Sequence, residues 1–119
     1  MKVIHKSAWV YILDRKVLST LTKGKDTYYF PGGKPEKDET ATEALVREIK
    51  EELTVDINQS QVEELGVFEA EAHGKGEDIK VVMTCFSAPY QGTLQPASEI
   101  EEVVWFTYAD KKNVPQLII

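Results

Sequence analysis

The sequence has a single cysteine, Cys85. One thiol cannot form an internal disulfide, so no disulfide framework supports this chain, and a reducing, cytoplasmic home is expected. Cys85 lies in the apolar run KVVMTCFSA and reads as a buried core thiol rather than a nucleophile. Long hydrophobic runs are also missing. His5, Lys6 and Ser7 interrupt MKVIHKSAWVYIL, which reads as neither signal peptide nor membrane span. Five prolines and seven glycines are too few for a low-complexity chain, and 42% apolar residues are too many for a disordered one. Positive charge is scarce: fourteen Lys and Arg against twenty Asp and Glu, a net charge of −6. That balance argues against nucleic acid or an anionic membrane as the main partner. It leaves a polyphosphate ligand open, because a bound divalent metal reverses the sign locally. The 119 residues suit one domain, spanning 1–119, with one real core.

What is present is mostly strand-like. Ser7 to Leu13 and Lys16 to Thr22 are β-branched and aromatic runs separated by Asp14-Arg15, which predicts a hairpin. Tyr28 to Phe30 is a short strand stopped by Pro31 and Gly32-Gly33. ELGVFEAEAH alternates, DIKVVMTCFSA reads as a long central strand, and SEIEEVVWFTY is another strand or a loop leading into one. Pro89 to Gly92 is a turn, and ADKKNVPQLII could begin a short helix capped at Asp110. One helix is convincing. Thr40 and Glu43 form a capping box, and Ala41, Leu45, Ile49 and Leu53 recur every four residues. The helix should run from about Ala41 to Leu53, in a mixed α+β order.

That helix carries an excess of acid. From Glu36 to Asp56 there are eight acidic residues and three basic ones, Lys37, Arg47 and Lys50. At about 100° per residue, Glu52 lies about 40° from Glu48 on one side and Glu51 about 60° on the other. The three share one face at the edge of the apolar stripe, with Glu39 able to fold toward it. Like charges so placed repel. A solvated face would set acids opposite the stripe and alternate them with bases. Hard oxygen donors on one rigid face suit Mg²⁺ or Mn²⁺ instead. Gly32-Gly33 lets backbone approach a ligand closely.

Gly33, Glu39, Arg47, Glu48, Ile49, Glu51, Glu52 and Val55 stand at the spacing G-x5-E-x7-R-E-U-x-E-E-x-G-U, where U is bulky and apolar. This resembles the Nudix box at every specified position but one: Thr54 stands where the family has Gly. The box covers about a fifth of the chain, and PGG before the helix and the flanking strand order extend the likeness. The resemblance implies a Nudix-type α/β/α sandwich with a mixed sheet, one long catalytic helix and a short C-terminal helix or stub. It implies hydrolysis of a nucleoside diphosphate linked to another group, with Mg²⁺ as cofactor and Mn²⁺ able to substitute. By position, Glu51, Glu52 and the Gly32 carbonyl would be metal ligands, and Glu48 a ligand or the base. Arg47 would orient the glutamates, and Glu39 would support the loop–helix arrangement. Some members add a Glu shortly before a late Trp; Glu99 is the first candidate here and Glu102 the second. Homodimers are common in the family, but one sequence assigns no interface.

The substrate is less legible. Gly33, Lys34, Trp9, Tyr28 and His73 are the candidate substrate contacts. Trp9, Tyr11, Tyr28 and Phe30 could stack on a base, although core packing is the simpler role for each. Trp105 reads as packing beneath the site. Where some subfamilies carry a Pro for ADP-ribose or a Tyr for diadenosine polyphosphates, this chain has Ala70 to His73. By exclusion, small size points to members that split nucleoside triphosphates into monophosphate and pyrophosphate. The alternative is a catalytically weak Nudix-fold module that binds nucleotides or regulates.

Overall fold

The computed structural model describes residues 2–25, 28–74, 77–107 and 117–118, with the side chains of 72–74, 77 and 117–118 left aside. The expected helix at Asp110 lies outside the described residues, as does the side chain of His73. Among the described residues there is one α-helix, α1 (Ala41–Leu53). Its capping box forms as the sequence requires: the Glu43 N–H donates to Thr40 Oγ1 at 3.0 Å, and the Thr40 N–H donates to Glu43 Oε1 at 2.9 Å. The apolar stripe is buried, with Leu45, Ile49 and Leu53 fully enclosed. Burying each of these side chains stabilises the fold by roughly 1.5–3 kcal/mol before entropy is counted.

Two sheets surround this helix. The first holds β1 (Lys2–Trp9), β5 (Gly32–Gly33), β6 (Glu63–Gly74) and β7 (Glu77–Ser87) in the order β5-β1-β7-β6. β1 and β7 run parallel, while β5 and β6 run antiparallel to their neighbours, so the sheet is mixed. The KVVMTCFSA run lies in β7 up to Ser87, flanked by strands on both sides, as its continuous hydrophobicity predicts. The second sheet is built on β3 (Lys16–Thr22). It pairs on one side with β8 (Ile100–Phe106), and on the other with β2 (Ile12–Leu13) and β4 (Tyr28–Tyr29). A short β9 (Leu117–Ile118) runs parallel to β4.

The expected N-terminal hairpin is only partly formed. Asp14 and Arg15 do make the turn, both at positive φ (52° and 65°), and Ile12–Leu13 pair with Lys16–Val17. The residues before them belong elsewhere, because β1 ends at Trp9 in the first sheet. The chain crosses between sheets at Val10-Tyr11, so one apolar run serves two layers. Trp9, Leu18, Leu45, Ile49, Leu53 and Phe86 form the core between helix and sheets. Its rim is aromatic: Tyr11 and Tyr90 pack on Trp9 at centroid distances of 5.1 and 5.5 Å.

The helix ends at Thr54, in left-handed geometry (φ 61°, ψ 23°), with its N–H bonded to the Lys50 carbonyl at 3.1 Å. The backbone keeps the conformation that suits glycine although the residue is β-branched. Its hydroxyl lies 2.6 Å from the Leu53 carbonyl oxygen, which stabilises the turn in part.

Candidate active site

The site forms where β5 lies between β1 and α1. Gly32 pairs with Ala8 and Gly33 with Ser7. Both glycines are required by close approach. At Gly32 (φ 142°) a Cβ would sit 2.0 Å from the Ser7 carbonyl oxygen, and at Gly33 it would sit 2.5 Å from the Glu48 carboxyl carbon. The missing side chains therefore let the Glu48 and Glu52 carboxylates lie against backbone. The Gly32 N–H donates to Glu52 Oε1 at 3.1 Å.

Arg47 is the hub of the acidic face. Its Nε and Nη2 grip Glu39 in a two-pronged bond at 2.8 and 2.9 Å. Nη1 donates to Glu48 at 2.8 Å and approaches Glu51 at 3.4 Å, and Nη2 donates to the Lys34 carbonyl at 3.1 Å. Hydrogen bonds from Arg47 and from the Glu36 N–H hold the Glu39 carboxyl down to about 2. Hydrogen bonding to Glu39 raises the Arg47 pKa further above its ordinary value. One guanidinium thus ties the PGGK loop to two turns of helix.

Glu52 is in the opposite state. Burial pushes its carboxyl up to about 8; the Gly32 N–H pulls it down, Glu48 adds to the rise and Lys6 opposes it. A buried carboxyl with acidic neighbours is what a hard cation stabilises in its ionised form. Glu48, Glu52 and Glu99 share the lining of one cavity of about 540 Å³, so oxygen donors from the helix and from the segment before β8 meet there. This donor set fits a divalent metal ion. Among the described residues the carboxylates do not yet converge as a finished three-acid site. Glu51 stands at the rim, with its side chain 53% exposed and leaning on Arg47.

The other expected contacts divide. Gly33 and Lys34 line the cavity. Trp9 does not: it is fully buried and its indole N–H donates to the Ala88 carbonyl at 3.1 Å, so no base can stack on it. Its position in the β1 register, opposite Phe86, points it into the helix-facing core. Tyr28 is also turned away. Its ring packs edge-on against Phe106 and its hydroxyl donates to Glu102 at 3.2 Å, which also takes Glu102 out of the cavity lining. The next residues, Tyr29 and Phe30, line the cavity instead. His73 pairs through its backbone with Asp78 near the end of β6. Trp105 packs against the core beside Tyr11.

Lys6, Thr20, Thr22 and Tyr29 line the cavity without having been singled out by sequence. A lysine breaking an apolar strand was the one available signal for Lys6. Burial lowers its pKa, the Glu52 charge opposes this, and the like charge of Lys34 adds to the lowering.

A conserved-domain model for the NUDIX domain matches residues 3–117. Among solved structures, the E. coli ORF135 protein is 30% identical, covering 98% of this chain and 81% of that one, with a TM-score of 0.73. A MutT NUDIX hydrolase from Burkholderia pseudomallei is 22% identical over 90% of this chain and 84% of its own, with a TM-score of 0.76. A MutT mutator protein from Bacillus halodurans is 20% identical over 95% and 74%, with a TM-score of 0.74. No curated protein matches the chain. Box geometry, fold and family match agree: this chain belongs to the Nudix family. It is a hydrolase acting on pyrophosphate bonds, of a family that uses divalent metal ions on small nucleoside diphosphate derivatives.

Proposed function

We propose that residues 1–119 form one Mg²⁺-dependent pyrophosphohydrolase domain that splits nucleoside triphosphates into monophosphate and pyrophosphate. The observation that carries this reading is one cavity whose lining includes Glu48, Glu52 and Glu99 together with the ammonium-bearing residues Lys6 and Lys34. The acids suit cations, and the lysines suit phosphate oxygens not held by them. Tyr29 and Phe30 supply apolar wall for a nucleobase.

Within this reading Glu52, Glu51, the Gly32 carbonyl and Glu99 would hold the metal, which when bound neutralises diphosphate charge and makes water a better nucleophile. The chain's own residues do the rest. Arg47 keeps the Glu48 carboxylate oriented into the cavity, where Glu48 takes the proton from the attacking water. The water oxygen bonds to phosphorus, the P–O bond bridging the α- and β-phosphates breaks, and the bridging oxygen leaves with pyrophosphate. Glu39 holds Arg47 from the other side, so the loop and helix move as one piece.

The test is product analysis on a panel of nucleoside di- and triphosphates, dinucleotides and sugar nucleotides with Mg²⁺. The reading expects triphosphates to have the highest kcat/KM and to yield equal amounts of monophosphate and pyrophosphate. Release of orthophosphate, or faster turnover of sugar nucleotides, would redirect the substrate assignment.

A further inference from the structure

Lys6 is an unusual residue for its place. It sits inside β1, partly buried, between the fully buried Ser7 and the strand's exposed beginning. Lysine is rarely enclosed without a partner. Among the described residues no carboxylate lies within ion-pair distance of its ammonium, and no acceptor hydrogen-bonds it. Its recorded neighbour is the Tyr29 ring, whose centroid is 5.1 Å from Nζ. The Lys34 side chain is likewise without an ion pair among the described residues, while its carbonyl binds Arg47. Both lysines line the catalytic cavity and also an adjoining groove of about 570 Å³ along the first half of β1. On the edge away from β7 that half has no strand beside it among the described residues, because β5 pairs only with Ser7 and Ala8. Lys2 and His5 stand along the same groove.

In a chain of net charge −6, two unpaired ammoniums at the junction of two cavities mark an anion site. The Tyr29 face holds the stem and charge of Lys6 in place while leaving its N–H donors free. The two lysines share the first cavity with the carboxylates, but the adjoining groove has no carboxylate among its lining residues, so the ligand is an anionic group that continues from the one the acids and metal would hold.

We propose that Lys6, with Lys34 beside it, binds the phosphate groups released as pyrophosphate and so selects substrates that carry a terminal phosphate chain. This rests on the pyrophosphohydrolase reading and extends it to the residue that chooses among substrates. Lys6 touches substrate in this account and has no part in proton transfer.

The test is equilibrium binding of inorganic pyrophosphate, in excess Mg²⁺, by calorimetry. It needs no turnover, so a failed activity panel and a failed Lys6 proposal remain separate results. Wild type, Lys6→Met and Lys6→Arg are compared, with a nucleoside monophosphate as control ligand and thermal melting as a folding check. The expected result is a tenfold or greater rise in Kd for pyrophosphate in Lys6→Met, recovery to within threefold in Lys6→Arg, and no change for the monophosphate. Equal pyrophosphate affinity in wild type and Lys6→Met would overturn the proposal. So would equal losses in the Met and Arg variants, which would mark a packing role, or the absence of pyrophosphate binding by wild type.

Discussion

Replacing Glu52 by Gln should make the metal-free protein more stable at alkaline pH. The side-chain amide is nearly isosteric and can still accept the Gly32 N–H at 3.1 Å. What it removes is a charge. In the folded protein the Glu52 carboxyl is pushed from 4.5 up to about 8, chiefly by burial. A carboxyl with a raised folded pKa favours folding while protonated, and that advantage is lost as pH rises. The loss begins near the unfolded value of about 4.5 and is complete once pH passes about 8. At about 1.36 kcal/mol per pH unit the full difference approaches 5 kcal/mol. Water in the adjoining cavity and movement of Glu48 and Glu99 reduce it, so about 2–3 kcal/mol is expected. Urea denaturation in EDTA at pH 5, 7 and 9 measures it. Wild type and Glu52→Gln should be nearly equal at pH 5 and separate by about 2–3 kcal/mol at pH 9, with the variant more stable. Added Mg²⁺ should then close the gap by stabilising wild type alone. A wild type as stable as the variant at pH 9 without metal would refute the reasoning, because Glu52 would then have no uncompensated charge for a cation to relieve.

Arg47 at the middle of α1, Glu39 before it and Thr54 at its end give three further expectations. Arg47→Met removes the shared partner of Glu39, Glu48 and Glu51, so kcat should fall by about 100-fold and Arg47→Lys should restore little, since an ammonium cannot make the two-pronged bond. Glu39 is held down to about 2, so its contribution to stability is present above about 4.5 and is lost as pH falls toward 2; the acid-unfolding curves of wild type and Arg47→Met should converge there. Thr54→Gly relieves a left-handed conformation costing roughly 1–2 kcal/mol for a β-branched residue, against about 0.5–1 kcal/mol of added unfolded-state entropy. The melting temperature should rise by about 2 °C. A fall instead would mean that the hydroxyl bond to Leu53 compensates for the strain.

The parts of the protein that sequence made legible are those encoded locally. The capping box and the four-residue stripe of α1 lie within one turn or two of their partners, and each formed as read; of the acidic edge, Glu48 and Glu52 line the cavity while Glu51 stands at its rim. Arg47 reaches both its neighbour Glu48 and Glu39, which precedes the helix by two residues. The aromatic contacts were harder. Strand alternation says that Trp9 and Tyr11 share a face, but which face meets the core depends on the sheet that each residue joins. The chain changes sheets between them, so Trp9 became core. Tyr28 and Tyr29 show the same ambiguity one residue apart: alternation sends one to Phe106 and the other to Lys6. Lys6 itself was illegible because its neighbours come from three separate segments. Only folding shows that no carboxylate among the described residues lies within ion-pair distance of it.

If these carboxylates work through a divalent metal to cleave a pyrophosphate bond, steady-state turnover of nucleoside triphosphates by wild type and Glu52→Gln, each with Mg²⁺ and with excess EDTA, tests it directly. Activity is expected in one of the four combinations, wild type with Mg²⁺, with a loss of at least about 100-fold in the others. Full activity in EDTA, or Glu52→Gln as fast as wild type, would contradict it.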